Sequence, residues 1–196
     1  MMMRILLLFA CLLVTAGASA AEPRVQVGVT RSGEAFIVDA TVDAPVLIAT
    51  AWRTLTDFER MPAILTNLKS SRVTSRDENM LLVKQEGVAR YGLFSFGFQS
   101  EREVRLVPME RIVSRNLSGT LKRMSSESVL TQTDGGQSVQ IRYHAEIVAD
   151  SAMARMFGAS FVRHETTEQF RSMVAEMTRR QAGGGARAEA PAAAAD

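Results

Sequence analysis

The feature that most constrains the fold is one long amphipathic segment near the C-terminal end of the chain. Between Ser151 and about Arg180, apolar side chains recur at steps of three or four residues or their multiples, as on one face of a helix. These side chains are Met153, Phe157, Phe161, Phe170, Val174 and Met177. So long a helix needs a broad apolar surface to cover, and the concave face of a preceding sheet is the only candidate in this chain.

The chain before this helix is predicted to form β-strands joined by short turns. Apolar and alternating runs predict strands at about residues 25–30, 35–42, 68–76, 80–89, 93–107, 111–119, 121–131 and 138–148. The connectors of the later strands are short and rich in turn-forming residues. Short connections join antiparallel neighbours, so the pattern predicts a meander and excludes Rossmann and P-loop folds.

Two short helices are predicted between the second and third strands. Pro45 suits the first turn of a helix with Asp43 or Ala44 at the N-cap, and helical spacing then continues to about Thr56. Pro62 ends this pattern and begins another short turn, because proline inside a helix removes a hydrogen bond and clashes with the preceding turn. The chain is therefore predicted to form an α+β domain.

This arrangement resembles a known family. The likeness rests on Val42 to Pro45, on Trp52 and on Leu55 to Pro62, and it continues through the meander to the long helix. The likeness covers nearly all of residues 35–180. On these residues the chain resembles the START-like polyketide cyclase/dehydrase superfamily (SRPBCC), in the branch with coenzyme Q-binding proteins. The resemblance implies a helix-grip fold, in which a curved antiparallel sheet wraps around the C-terminal helix. It also implies a hydrophobic cavity for lipids, sterols, quinones, polyketides or plant hormones.

The first 20 residues are predicted to be an export signal. Arg4 precedes an apolar run at residues 5–14, and small residues of the A-x-A type end at Ala20. The run is about ten residues long, whereas a membrane-spanning helix needs about twenty. We expect cleavage after Ala20 and a periplasmic or secreted protein. Lipid attachment at Cys11, the only cysteine, is the alternative.

The remaining chain suits a single domain at about residues 23–181. Residues 182–196 contain no large apolar side chain, so we expect a disordered tail rich in Ala and Gly. Without Arg4, 22 basic residues oppose 21 acidic ones, and a net charge of +1 argues against nucleic acid as a partner. The cleaved chain has no cysteine, which excludes disulfides and thiolate chemistry.

The candidate ligand-binding residues are aromatic and methionine side chains that could face the cavity. Phe94, Phe96 and Phe98 alternate with other residues and so project from one face of a strand, and Gly92 and Gly97 are expected to leave room beside them. Methionine adapts to flexible alkyl chains. The full set is Trp52, Tyr91, Phe94, Phe96, Phe98, Met124, Tyr143, Met153, Phe157 and Phe161. Ordinary core packing is the alternative for each of them.

A mixed-charge run from Glu101 to Arg105 continues the Phe-rich strand, with Arg111 and Arg115 just after it. Its charges could form a solvated strand face with cross-strand ion pairs. Alternatively, one arginine could hold a polar head group at the cavity mouth.

The sequence gives no positive sign of a metal or catalytic site. The segment at His164 resembles a zinc-protease helix, but Glu168 stands where the second histidine is needed. No serine lies in a G-x-S-x-G motif. We therefore expect no metal and no cofactor.

The favoured hypothesis is a periplasmic, non-enzymatic binding or carrier protein for a hydrophobic small molecule or lipid, such as a quinone or polyketide. One alternative is a cyclase or dehydratase that uses the same cavity, with Tyr91, Tyr143, His144 or Glu127 as acid or base. The other is a non-catalytic module that contacts the membrane surface or another envelope protein. The first two hypotheses require a void between the helix and the sheet.

Overall fold

The computed structural model describes residues 22–91, 94–149 and 151–188, with side chains at 22–90, 95–149 and 158–184. The predicted export signal therefore lies outside the described residues. The helices are α1 (Ile48–Leu55), α2 (Met61–Ile64) and α3 (Ser151–Ala188), and 3-10 turns lie at Phe58–Arg60 and Asp134–Gly136. The strands are β1 (Arg24–Ser32), β2 (Ala35–Ala44), β3 (Leu68–Asp77), β4 (Met80–Tyr91), β5 (Phe94–Val107), β6 (Arg111–Gly119), β7 (Arg123–Thr133) and β8 (Ser138–Val148).

The strands form one antiparallel sheet in the order β1-β2-β8-β7-β6-β5-β4-β3. Strands β3 to β8 are a meander, and the chain closes it by pairing β8 with β2, which precedes the short helices. The predicted α+β class, the meander and the long C-terminal helix over the sheet are confirmed. This is the helix-grip, START-like fold.

Alternation along the strands determines which side chains form the core. In β2, Val38 and Val42 point inward and are fully buried, whereas Asp39 between them is exposed. Val42 lies opposite Ile141 of β8, which is also fully buried. A side-chain period of two places one face of each strand on the core, as the sequence pattern predicts.

Helix α1 begins later than predicted. Strand β2 continues through Ala44, which pairs with Val139, and the backbone N–H of Val46 then donates to Ala44 O at 2.9 Å. Leu47 is the N-cap residue and makes no side-chain cap hydrogen bond. The predicted cap at Asp43 or Ala44 is wrong because sheet pairing keeps both residues in β2, and a bend at Pro45 and Val46 precedes the helix.

Helix α3 differs from the prediction at two places. Gly158 has φ 64° and ψ −173°, which interrupts the helix there; glycine adopts positive φ without steric cost. The helix also continues to Ala188, so residues 182–188 of the expected disordered tail are helical. Gly183 to Gly185 disfavour a helix, but the segment also contains three alanines, which favour it, and extending an existing helix costs far less than nucleating one. Residues 189–196 lie outside the described residues.

Two apolar clusters hold α3 against the sheet. Phe170, Val174 and Met177 are buried among side chains of α1, β2 and β8. Val162, closer to Gly158, packs on a second cluster from β1, β2 and β8. Across the sheet, α3 also contacts β4. Within the described residues, no helix is long and apolar enough to cross a membrane.

An ion-pair network holds the C-terminal part of α3 beside the segment that follows α1. Glu176 accepts hydrogen bonds from Arg179 and Arg180, at 2.7 and 2.6 Å. The Arg180 Nη2 atom donates to Asp57 Oδ2 at 2.8 Å. Arg180 is mostly buried, with 18% of its side chain exposed. The network therefore fixes the position of one end of the helix.

Candidate ligand-binding cavity

A cavity of about 330 Å³ lies between α3 and the inner face of strands β4 to β8. This volume is at the lower end of the range for small-molecule pockets, about 300–1,000 Å³. Its apolar lining includes Leu55, Phe58, Met61, Leu65, Ala89, Phe96, Phe98, Val104, Ile112, Leu121, Met124, Ile147, Phe161, Phe170 and Met173. The helix does not press flat on the sheet, so the void that the first two hypotheses require is present.

Strand β5 supplies the aromatic wall of the cavity. Phe96 and Phe98 both line it, as the alternation predicts. Phe98 lies opposite Gly87 of β4, and a Cβ atom at Gly87 would be 2.5 Å from the Phe98 ring and 2.2 Å from Asn67 O. Gly87 therefore makes room for the ring. Gly97, which was expected to do so, is exposed and faces the outside.

The structure brings five of the predicted residues together. Phe96, Phe98, Met124, Tyr143 and Phe161 all line the cavity. The side chains of four others lie outside the described residues: Tyr91, Phe94, Met153 and Phe157.

Trp52 does not line the cavity. It packs against the core cluster of α1, β2, β8 and α3, whereas Leu55, three residues later, reaches the cavity. Both are apolar positions of one helical pattern, and the sequence does not show which of them faces the void.

A positive charge lies within the cavity wall. Arg102 shares the inward face of β5 with Phe96 and Phe98, and its Nη2 atom donates to Gln85 Oε1 at 2.5 Å. Gln85 is itself buried, and its Nε2 atom donates to Ser71 Oγ at 3.0 Å. The Arg102 Nε atom is buried and has no hydrogen-bond partner. Burial lowers the pKa of the Arg102 guanidinium from its usual value, but a guanidinium remains protonated in proteins.

Tyr143 stands beside this charge, on β8. Its ring meets Phe170 of α3 edge to face, with the ring centroids 5.3 Å apart. Burial raises the pKa of the Tyr143 phenol; its hydrogen bond with Ser126 and the charge of Arg102 oppose that shift. Tyr143 is thus a neutral hydroxyl at neutral pH, directed into an apolar site.

Comparison with known proteins agrees with this architecture. The model of the family described as "Polyketide cyclase / dehydrase and lipid transport" matches residues 42–180. The chain belongs to this family. No curated protein sequence matched it.

Solved structures of similar fold share little sequence with this family member. The Zhui aromatase/cyclase of a Streptomyces species has 15% identity and a TM-score of 0.66, covering 74% of this chain and 95% of that one. A protein from Thermus thermophilus has 13% identity and a TM-score of 0.64, covering 74% and 98%. A STAR-related lipid transfer protein from Xanthomonas axonopodis has 6% identity and a TM-score of 0.56, covering 78% and 98%. At such identities the likeness shows the fold alone.

Two of the acid–base candidates of this polyketide cyclase/dehydrase family member face away from the cavity. His144 Nδ1 lies 2.7 Å from Asp39 Oδ1, and Glu127 Oε1 lies 3.3 Å from Arg111 Nη1. They border an open groove of about 690 Å³ on the outer face of the sheet. Its charged, solvent-exposed walls suit an apolar ligand less well than the inner cavity does. Among the described side chains of the four candidates, only Tyr143 lines the inner cavity.

Most of the polar lining of the cavity was not predicted from the sequence. Gln85, Ser114, Ser126, Ser128, Glu165 and Gln169 line the cavity but were not predicted. Strand alternation could have placed Arg102 on the same face as Phe98. The other positions depend on strand register and on the rotation of α3, which sequence spacing alone does not fix. Within the described residues, no group of three or more His, Cys, Asp or Glu could hold a metal ion.

Proposed function

We propose that this chain is an exported binding or carrier protein for a hydrophobic small molecule or lipid. The observation that carries the proposal is the void between α3 and the sheet, lined by Phe96, Phe98, Phe161 and other apolar side chains. The names of the structural neighbours, which include a lipid transfer protein and an aromatase/cyclase, support a hydrophobic ligand. A quinone, as in the coenzyme Q-binding branch, is one such ligand.

Apolar burial is sufficient to bind such a ligand. Each buried methylene contributes about 0.8 kcal/mol, so ten contribute about 8 kcal/mol before the entropic cost of association. The ligand therefore needs few polar contacts to bind at useful affinity.

The N-terminal segment supports a location outside the cytoplasm. An apolar run with a small-residue cleavage site, ending at Ala20, has the features of a secretory signal. Fractionation of cells that express the full chain, with N-terminal sequencing of the product, tests this part. An uncleaved protein in the cytoplasmic fraction would contradict it.

Ligand extraction is the central experiment. Protein purified from its native host is analysed by native mass spectrometry, then extracted with organic solvent and analysed again. We expect a hydrophobic compound in stoichiometric amount. Ala89→Phe adds a ring beside Phe96 inside the cavity, and we expect it to lose the compound while remaining folded. Val88→Phe, which adds the same group on the outer face of β4, is the matched control and should retain it.

A second candidate function is a cyclase or dehydratase reaction in the same cavity. Tyr143 favours it, because a buried neutral hydroxyl can donate a proton or a hydrogen bond to a substrate carbonyl. Ligand extracted from the Tyr143→Phe protein is incubated with wild type and with Tyr143→Phe to separate the two functions. A carrier returns the ligand unchanged in both cases, whereas an enzyme alters it only when Tyr143 is present.

A further inference from the structure

Arg102, in the cavity wall, uses only part of its hydrogen-bonding capacity. Gln85, a neutral amide, accepts its one side-chain hydrogen bond, and its Nε atom has no partner. Among the described residues, no Asp or Glu forms an ion pair with it. By contrast, Arg115, on the outer face of the next strand, is bonded to Glu103 through two nitrogen atoms.

A buried cation without a counter-charge is unfavourable in an apolar site. The planar guanidinium offers parallel N–H groups, a geometry that matches the two oxygens of a carboxylate. One positive charge neutralises one carboxylate but leaves a doubly charged phosphate uncompensated. The surroundings of Arg102 therefore favour a carboxylate over a phosphate.

We propose that the ligand is an amphiphile whose single carboxylate binds Arg102, while its apolar part extends along Phe98 and Phe96. This inference rests on the proposed binding function and adds the chemical class of the head group. A long-chain carboxylic acid is the simplest ligand of this class.

The position of Arg102 also gives the orientation of the ligand. Val104, the next inward residue of β5, packs with Phe58 in a buried cluster, and both side chains line the cavity beside Arg102. Phe98 and Phe96 lie in the opposite direction along the strand, about 13 and 20 Å from Arg102 at about 3.3 Å per residue. The carboxylate is therefore at the end of the cavity beside Val104 and Phe58, and the apolar chain points along β5 towards Phe96.

Ligands with one chain and different head groups test this inference. Delipidated protein is titrated calorimetrically with dodecanoate, dodecanol, dodecyl phosphate and dodecylammonium. We expect wild type to bind dodecanoate about 10- to 100-fold more tightly than dodecanol, because a charge-assisted hydrogen bond replaces a neutral one. Arg102→Met should abolish this preference while keeping the affinity for dodecanol. Arg105→Met, on the exposed face of the same strand, is the control and should keep the preference.

Each outcome bears on a different claim. Equal affinity of wild type for dodecanoate and dodecanol overturns the head-group assignment but leaves a hydrophobic binding protein. Tighter binding of dodecyl phosphate overturns the carboxylate class. Failure of folded wild type to bind any of the four compounds removes this inference, whereas the proposed function is decided separately by the ligand extraction. The wild-type series decides the question even if Arg102→Met does not fold.

Discussion

The ion-pair network of α3 leads to a pH-dependent prediction for Glu176→Gln. Hydrogen bonds from Arg179, and then from Arg180, lower the pKa of the Glu176 carboxyl from 4.5 to about 2. At about 1.36 kcal/mol per pH unit, this difference sets an upper limit of about 3.4 kcal/mol. Because Arg179 is 67% exposed and exposed pairs contribute little, we expect Glu176→Gln to cost about 1–2 kcal/mol at neutral pH.

The sign of the pH effect follows from the lowered pKa. A carboxyl group that ionises more readily in the folded state contributes its full stability above its ordinary pKa of 4.5. The contribution falls as the pH decreases towards about 2, where the folded protein also binds the proton. More than half of it should be lost at about pH 3.

Urea unfolding of wild type and Glu176→Gln at pH 7 and pH 3 measures this effect. The difference in unfolding free energy between the two proteins should be largest at pH 7 and less than half as large at pH 3. Glu168→Gln removes an exposed pair with Arg171 on the same helix and should have little effect at either pH. A difference for Glu176→Gln that is equal at both pH values would refute the reasoning.

Three further substitutions test the packing around the cavity. Gly87→Ala should lower the free energy of unfolding, measured by thermal denaturation, by about 1–3 kcal/mol, because its Cβ would meet Asn67 O and the Phe98 ring. Gly28→Ala, whose Cβ would have its nearest contact at 3.7 Å, is the control and should be close to neutral. Phe170→Ala should cost about 3–5 kcal/mol in urea unfolding, because it removes a buried ring; a loss below about 1 kcal/mol would contradict the packing described. Arg102→Met should leave the urea midpoint of the ligand-free protein unchanged or raise it, because it removes a buried charge. A clear decrease in the midpoint would mean that other groups of the ligand-free protein already compensate the charge of Arg102.

The element order was predictable because it depends on local signals. Alternation and short turns located the eight strands to within a few residues, and the helical stripe located α3. The beginning of α1 was not predictable, because the pairing of Ala44 with Val139 on a distant strand decides it. Propensity favours a helix from Pro45, but tertiary pairing overrides it.

The candidate site was predictable only in part. Phe96 and Phe98 could be placed on one face because neighbouring residues of a strand alternate. Gln85 and Tyr143 could not be placed beside Arg102, since their proximity depends on the register of several strand pairs. The opposite positions of Trp52 and Leu55 depend on how α1 is rotated against the core, which spacing does not specify.

The ion pair between Arg180 and Asp57 at one end of α3 has a consequence for the size of the occupant. A compound larger than the cavity must move α3 away from the sheet. The ion pair between Arg180 and Asp57 holds the C-terminal part of the helix in place. The helix would then tilt about its C-terminal part, and the displacement would be largest near the break at Gly158. Hydrogen–deuterium exchange should therefore change most in the helix residues just after Gly158, and least around Met177, when a bulky compound replaces a slim one.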